Sequence, residues 1–391
     1  MITIAQTAER QASARSQADV PPDVPTAGPP QASAPPNAWP LADAAPRRTT
    51  ARRGNGPLPQ YALDAAERTP LAALAEELRT DGLDPTRPAF YDRCRPAADR
   101  LSSGLRGFLA EFRRGEPAAA CLIRGLPVDS AQIGPTPPHW EAAIASDAAR
   151  TAELCLALCA MVLGEPFAWS TLQSGRIIQN ILPIAGDERR QNGYGSEALL
   201  EFHTEDGFHP LRCDYLLLLG LRNPDGVPTI VASVRDICLP DSQRAILAEK
   251  RFYIEPDTEH IRQLELREPG SAALALVSAM QRSPEPVAVL FGNPAAPYLR
   301  IDRPFMRCAT GDREAEHALD GLMAELERVQ QEVVVDPGTL LIIDNYLAVH
   351  GRQPFRSRYD GTDRWLKKLT VSRNLRRGLG LASEHGHRVL L

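Results

Sequence analysis

Eight short apolar runs follow one another through the later part of this 391-residue chain. They are GRIIQNILP, DYLLLLGLR, PTIVASV, RFYIEP, PVAVLFG, PYLRID, TLLIID and LKKLTVS. Each has the length of a strand and falls short of an ordinary helix. Turn signals such as Asn223-Pro224-Asp225-Gly226 and Asp336-Pro337-Gly338 divide them. Many short strands at this spacing predict a β-sandwich or a jelly roll. One late helix interrupts the series, DREAEHALDGLMAELERVQQE.

Helical patterns come first along the chain. LDAAERTPLAALAEELRTDG has helical spacing at Leu71, Leu74 and Leu78 and runs into a glycine stop signal. Residues 89–115 repeat the pattern with Leu101, Leu105, Phe108, Leu109 and Phe112 on one side. AACLIRGLP reads as a buried strand stopped by Gly125 and Pro127, and 140–163 as another long helix. These helices are expected to pack outside a mainly β core, an α+β arrangement. Order is expected from near Leu63. Residues 1–60, rich in Ala, Pro, Ser and Arg, lack the large apolar side chains that would offset the entropy of ordering. They are expected to be a disordered tail without a catalytic role, Trp39 included. The rest, 61–391, reads as one domain, helical over 61–165 and strand-rich over 166–377.

Composition excludes several classes. The net charge is −5 and the pI about 6.0, so no basic field invites nucleic acid. No apolar run has the length of a membrane span. The N-terminus lacks the charged start and compact apolar stretch of a secretory signal. The seven cysteines are odd in number, include no CxxC pair and lie mostly in apolar surroundings, as Cys155 and Cys159 do in ELCLALCAMVL. They read as reduced thiols of a cytoplasmic protein.

Against this background, His203-Thr204-Glu205 and the distant His350 stand out. In extended backbone the side chains at i and i+2 leave the same face, so His203 and Glu205 can reach one metal. His350 follows the apolar run TLLIID and sits near a strand end, where neighbouring strands can return it to the same pocket. Two imidazoles and one carboxylate hold ferrous iron with adjacent coordination positions open. Arg364, shortly after His350, offers a planar fork for a dicarboxylate chelating that metal. Zinc fits a similar ligand set, but a zinc hydrolase leaves Arg364 without a role. A non-catalytic β-sandwich binder is a further alternative. His209 is the main decoy, separated from His203 by Gly207 and followed by Pro210. His139, His260, His317, His385 and His387 stand in polar or helical contexts and read as surface groups.

The segments HTEDGFHPLRCDYLLLLGLRNPDGVPTIVAS and DNYLAVHGRQPFRSRYDGTDRWLKKLTVSRNLRR carry a family likeness. The chain resembles the clavaminate synthase-like branch of the TauD/TfdA superfamily of Fe(II)/2-oxoglutarate-dependent oxygenases. Within it the chain is most similar to the amino-acid hydroxylases of nonribosomal peptide pathways, of the arginine β-hydroxylase type. The resemblance covers most of residues 100–377 and implies a double-stranded β-helix, another name for the jelly roll. It implies Fe(II) on His203, Glu205 and His350, with 2-oxoglutarate and O2 as co-substrates. It places Arg364, with Thr229, on the distal carboxylate of 2-oxoglutarate. It places Gln173 and Lys368 toward the backbone charges of an amino acid, and Asp302 and Asp257 toward its side chain. Glu205, in place of the small residue of halogenases, implies hydroxylation or desaturation.

The resemblance thus implies oxidation of a free polar amino acid at C3 or C4 in natural-product biosynthesis, with arginine or a close derivative favoured. Pro304 departs from the pattern, because arginine hydroxylases of this type tend to carry another acid there. Citrulline, asparagine or another polar amino acid is therefore a second substrate reading. A taurine-type oxygenase acting on a substrate that is not an amino acid is a third.

Overall fold

The computed structural model describes residues 56–383 and 386–391, which fall within one compact unit. The expected tail, with Trp39, lies almost wholly outside the described residues. Helices dominate the first part of the chain. Strand β1 (Gln60–Ala62) leads into α1 (Ala65–Thr80), capped by Asp64, whose side chain accepts from Glu67 N. There follow α2 (Pro88–Arg93), α3 (Ser103–Gly115), β2 (Ala120–Arg124), α4 (Ser130–Ile133), α5 (Trp140–Ile144) and α6 (Arg150–Leu163). Helix α6 is buried nearly all round, because it lies between α1, α3 and the main sheet.

The strands then follow: β3 (Glu165–Trp169), β4 (Ile178–Ile181), β5 (Leu200–His203), β6 (Tyr215–Arg222) and β7 (Pro228–Ser233). A long insertion comes next, with α7 (Asp241–Leu247), β8 (Phe252–Ile254), α8 (Thr258–Arg267) and α9 (Ala272–Arg282). It continues through β9 (Pro286–Val287), β10 (Leu290–Asn293), β11 (Ala296–Leu299), β12 (Met306–Cys308) and α10 (Arg313–Val329). The chain closes with β13 (Gln331–Val334), β14 (Leu340–Asp344), β15 (Ala348–Arg352), β16 (Trp365–Ser372), β17 (Ala382–Ser383) and β18 (Gly386–Leu390).

Two sheets position the site. The larger runs β1-β2-β14-β6-β16-β3-β18-β17, with β4 also paired to β16; the smaller runs β13-β7-β15-β5 and is antiparallel throughout. Alternation within the central strands builds three layers. In β6, Tyr215, Leu217, Leu219 and Leu221 pack with the helices, whereas Leu216 and Leu218 face the smaller sheet. In β14, Leu340 and Ile342 take the helical side, and Leu341 and Ile343 the other. The same rule puts Lys367 of β16 on the helical side, bonded to Glu153 and Asn180, and Lys368 into the cavity between the sheets. Strands buried on both faces read as unbroken apolar runs, which is why DYLLLLGLR and TLLIID are so continuous.

Some local expectations change. The first described element is the short strand β1, just ahead of Leu63, which lies parallel on β2. The helix expected over 140–163 is two helices, α5 and α6. Ser146 between them accepts from Ala148 N, a local bond that competes with the helical ladder. The single late helix expected is joined by α7, α8 and α9. Helix α8 buries Glu259, His260 and Gln263 beside Leu264, a polar inner face that hydrophobic periodicity does not mark. All seven cysteines are free thiols and five are buried. Among the described residues no helix is long and apolar enough to cross a membrane.

Candidate active site

Strands β5 and β15 lie side by side in the smaller sheet, with His203 directly opposite His350. Their rings stand 4.1 Å apart between centroids. The approach is close because Gly351 presents no Cβ, which would strike the carbonyl oxygen of Leu200 and the side chain of Ile230. Glu205 follows β5 by two residues. Its Oε2 lies 3.9 Å from His203 Nε2 and 3.4 Å from His350 Nε2. One donor atom from each of the three residues lies within 4.8 Å of the others, so the set can hold a single metal ion.

The protonation states suit that task. His203 Nδ1 is 2.9 Å from the carbonyl of Glu201, which only accepts, so Nδ1 carries the proton and the Nε2 lone pair turns toward Glu205. Burial, with His350 adding to it, pushes His203 down to about 4 and keeps it neutral near neutral pH. Burial opposes ionisation of Glu205, but Lys368 and the two imidazoles outweigh it and hold the carboxyl well below its ordinary value. Lys368 Nζ donates to Glu205 Oε1 at 2.5 Å.

Asn345 fixes the main chain of Glu205 and is not among the residues singled out from the sequence. Its Oδ1 accepts from Glu205 N at 2.7 Å, and its Nδ2 donates to the carbonyls of Glu205 and Cys213 at 3.0 Å each. Asn345 is fully buried directly after β14. Its one visible clue is a polar residue at the end of the apolar run TLLIID.

Across the cavity stands Arg364, immediately before β16. Its Nη2 donates to Thr229 Oγ1 at 3.1 Å, so the two residues expected on a dicarboxylate meet each other. Arg364 is only 6% exposed and its Nε is buried without a hydrogen-bond partner. Asp363 does not pair with it, because its carboxylate accepts from the Arg358 and Tyr359 amides. Burial, with the charge of Arg352 adding to it, lowers Arg364 to about 9, still a cation near neutral pH. Arg352 is occupied elsewhere, donating to the carbonyls of Gly195, Ala198 and Gln353. Arg364 is therefore a buried cation that lines the cavity with no carboxylate paired to it among the described residues, which calls for an anionic ligand.

The cavity lining also carries acidic side chains. Asp257 and Asp302 both line the cavity with Pro304 and Phe305. Burial pushes Asp257 up to about 6, and burial plus the charges of Asp257 and Glu205 raise Asp302 well above its ordinary value. Neither carboxylate has a salt-bridge partner among the described residues, although Asp257 also caps α8 through Glu259 N. Gln173, expected to touch substrate, stands behind the wall. Its Nε2 donates to Asn180 O and Tyr194 Oη at 2.8 Å, and its Oε1 accepts from Asn180 N. Gln179 and Tyr194 line the cavity in its place. His209 is buried against Trp169 with its Nδ1 accepting from Leu211 N, and does not line the cavity. His260 corrects the surface reading given above: it is 3% exposed, lines the cavity and sits against Asp206 and Thr171.

Comparison with known proteins agrees with this arrangement. The model of the taurine catabolism dioxygenase TauD, TfdA family matches residues 173–370. The chain is 41% identical over 318 residues to the enduracididine beta-hydroxylase of Streptomyces hygroscopicus, covering 78% of this chain and 92% of that protein. It is 39% identical over 288 residues to the L-ornithine/L-arginine 3-hydroxylase of Catenulispora acidiphila, covering 72% and 84%. Among solved structures it is similar to the non-heme iron oxygenase OrfP in complex with Fe, succinate and (3S)-hydroxy-L-Arg. That match has a TM-score of 0.79 at 38% identity and covers 85% of this chain and 100% of OrfP. A second OrfP structure, holding Fe and alpha-ketoglutaric acid, matches with a TM-score of 0.75. The chain belongs to the taurine catabolism dioxygenase TauD, TfdA family.

Proposed function

We propose that this chain is an Fe(II)- and 2-oxoglutarate-dependent dioxygenase that hydroxylates C3 or C4 of a free amino acid, arginine or a close guanidine relative. The observation that carries the reading is one cavity holding three things: the His203–Glu205–His350 donor set, the unpaired Arg364 cation and the unpaired Asp257 and Asp302 carboxylates. Two imidazoles and a carboxylate fit ferrous iron. When bound, the iron with 2-oxoglutarate and O2 supplies the oxidation of an unactivated C–H bond.

The remaining work belongs to the chain. Arg364, steadied by Thr229, holds the distal carboxylate of 2-oxoglutarate with the geometry of a planar fork. Asp302 and Asp257 take the cationic end of the amino acid, and that pairing favours the ionised form of two carboxyls whose ionisation burial opposes. Lys368 faces the substrate carboxylate while restraining Glu205. Gln173 acts at one remove by fixing Tyr194. Leu216, Leu218 and Leu366 keep the floor apolar and exclude water.

The two facing sheets are read as a double-stranded β-helix over 166–377, with the helical part at 61–165 and a separate tail over 1–60. The work of the hydroxylase relatives suggests a place in natural-product biosynthesis, and the cysteine usage a cytoplasmic setting. The deciding experiment is mass spectrometry of an amino-acid panel, with arginine, enduracididine, ornithine, citrulline and asparagine, incubated with protein, Fe(II), 2-oxoglutarate and air. A gain of one oxygen on a guanidine substrate supports the reading, and a loss of two hydrogens turns it to desaturation. No oxidised product with stoichiometric succinate from any member refutes it.

A further inference from the structure

The residue after Glu205 is held in an unusual way. Asp206 has φ +52°, left-handed backbone that an L residue keeps only when its surroundings fix it. Two groups do so through its carboxylate. Trp169 Nε1 donates to Oδ2 at 2.6 Å, and His260 Nε2 lies 3.2 Å from Oδ1. His260 Nδ1 lies 2.6 Å from the Thr171 hydroxyl. Phe208 packs edge-on against the His260 ring, 5.0 Å between centroids.

His260 belongs to α8, in the insertion between β7 and β13. The same helix is capped by Asp257 and carries Glu259, both of which line the cavity. Glu259 is itself tied to Asn192, Arg262 and Gln263. The first turn of α8 is thus braced at its polar face, with one side against the substrate wall and the other against the Glu205–Asp206 turn.

We infer that His260 is a positioning residue: through Asp206 it fixes the turn that carries Glu205, and through α8 it ties that turn to the Asp257 wall. The inference rests on the reading of His203, Glu205 and His350 as metal ligands. Seating a cationic side chain on Asp257 bears on α8, and α8 bears on the metal carboxylate. The set of residues around the metal and the set around the amino acid then respond to each other through the contact between His260 and Asp206.

The test titrates the full chain anaerobically with Co(II), with and without arginine, and follows the cobalt absorption bands. His260→Leu removes the donor and keeps the bulk. His260→Gln returns an N–H near the Nε2 position, and Thr171→Val removes the partner of Nδ1. His260→Leu is expected to weaken Co(II) binding about tenfold or more, to change the bands, and to lose the band shift that arginine produces in the wild type. His260→Gln is expected to recover most of all three. Wild-type affinity, bands and arginine response in His260→Leu overturn the inference, as does a His260→Gln no better than His260→Leu. A wild-type chain that shows no cobalt bands overturns the metal reading instead, so the two failures are told apart. Should circular dichroism show His260→Leu unfolded, Thr171→Val decides: altered bands uphold the inference and unaltered bands overturn it.

Discussion

Replacing Arg364 by methionine is expected to stabilise the ligand-free protein while removing its response to 2-oxoglutarate. Arg364 is 6% exposed and has Thr229 as its one hydrogen-bonded partner among the described residues. Burial, with Arg352 adding to it, lowers the group from the ordinary guanidinium value to about 9. At 1.36 kcal/mol per pKa unit, that corresponds to on the order of 5 kcal/mol against the charged form in the folded state. Losing the bond to Thr229 returns about 1.5–3 kcal/mol of that. The variant is therefore expected to gain about 2–3.5 kcal/mol, measured by urea denaturation at neutral pH. The sign with pH follows from linkage. A base whose folded pKa is depressed leaves the unfolded chain holding more protons between the two values, so wild-type stability rises with pH there. The advantage of the variant is thus complete below about pH 9 and shrinks above it. With 2-oxoglutarate at a hundred times its Kd, the wild type should gain about 2.7 kcal/mol, and the variant nothing. A variant that is less stable without ligand, or that keeps the 2-oxoglutarate response, refutes the view of Arg364 as an uncompensated cation awaiting a dicarboxylate.

The other expectations are briefer. His350→Ala should abolish iron-dependent turnover and metal retention on dialysis with an unchanged circular dichroism spectrum; retained activity removes the metal assignment. Asp302→Asn should raise KM for arginine roughly ten- to hundredfold, the size of a lost charge-assisted hydrogen bond, and leave any turnover of neutral citrulline unchanged; equal effects on both would count against a charge contact. Burial pushes Asp257 up to about 6, so KM for arginine should climb as pH falls through that value; an Asp257→Asn variant that keeps the same climb there assigns it elsewhere. Asn345→Ala strands the amide and carbonyl of Glu205, at about 1–3 kcal/mol each; thermal denaturation showing no loss would mean that the Glu205 backbone is held by other means.

The metal set was legible because its signal is chemical and local: a His-x-Glu pair, a later histidine near a strand end, and an arginine beyond it. The central strands were legible because burial on both faces leaves unbroken apolar runs in β6 and β14. What stayed hidden is polar structure turned inward. Helix α8 buries Glu259, His260 and Gln263 on its inner face, so its pattern resembles a surface helix and His260 resembles a surface histidine. Gln173 was placed one layer too far forward, because sequence gives a residue's neighbourhood and not which amide faces the cavity; Gln179, six positions on, takes the front. Asn345 acts on backbone through its amide, and such bonds leave no periodicity at all.

The insertion between β7 and β13 supplies Asp257 and Asp302, whereas the proposed metal donors, Thr229 and Arg364 come from the two sheets and their edges. Chemistry and selectivity are therefore carried by separable stretches of polypeptide. Exchanging the stretch from α7 to β12 for that of a relative would be expected to re-tune which molecule is oxidised while sparing the oxidising apparatus, provided the newcomer still offers Asp206 a donor where His260 now stands.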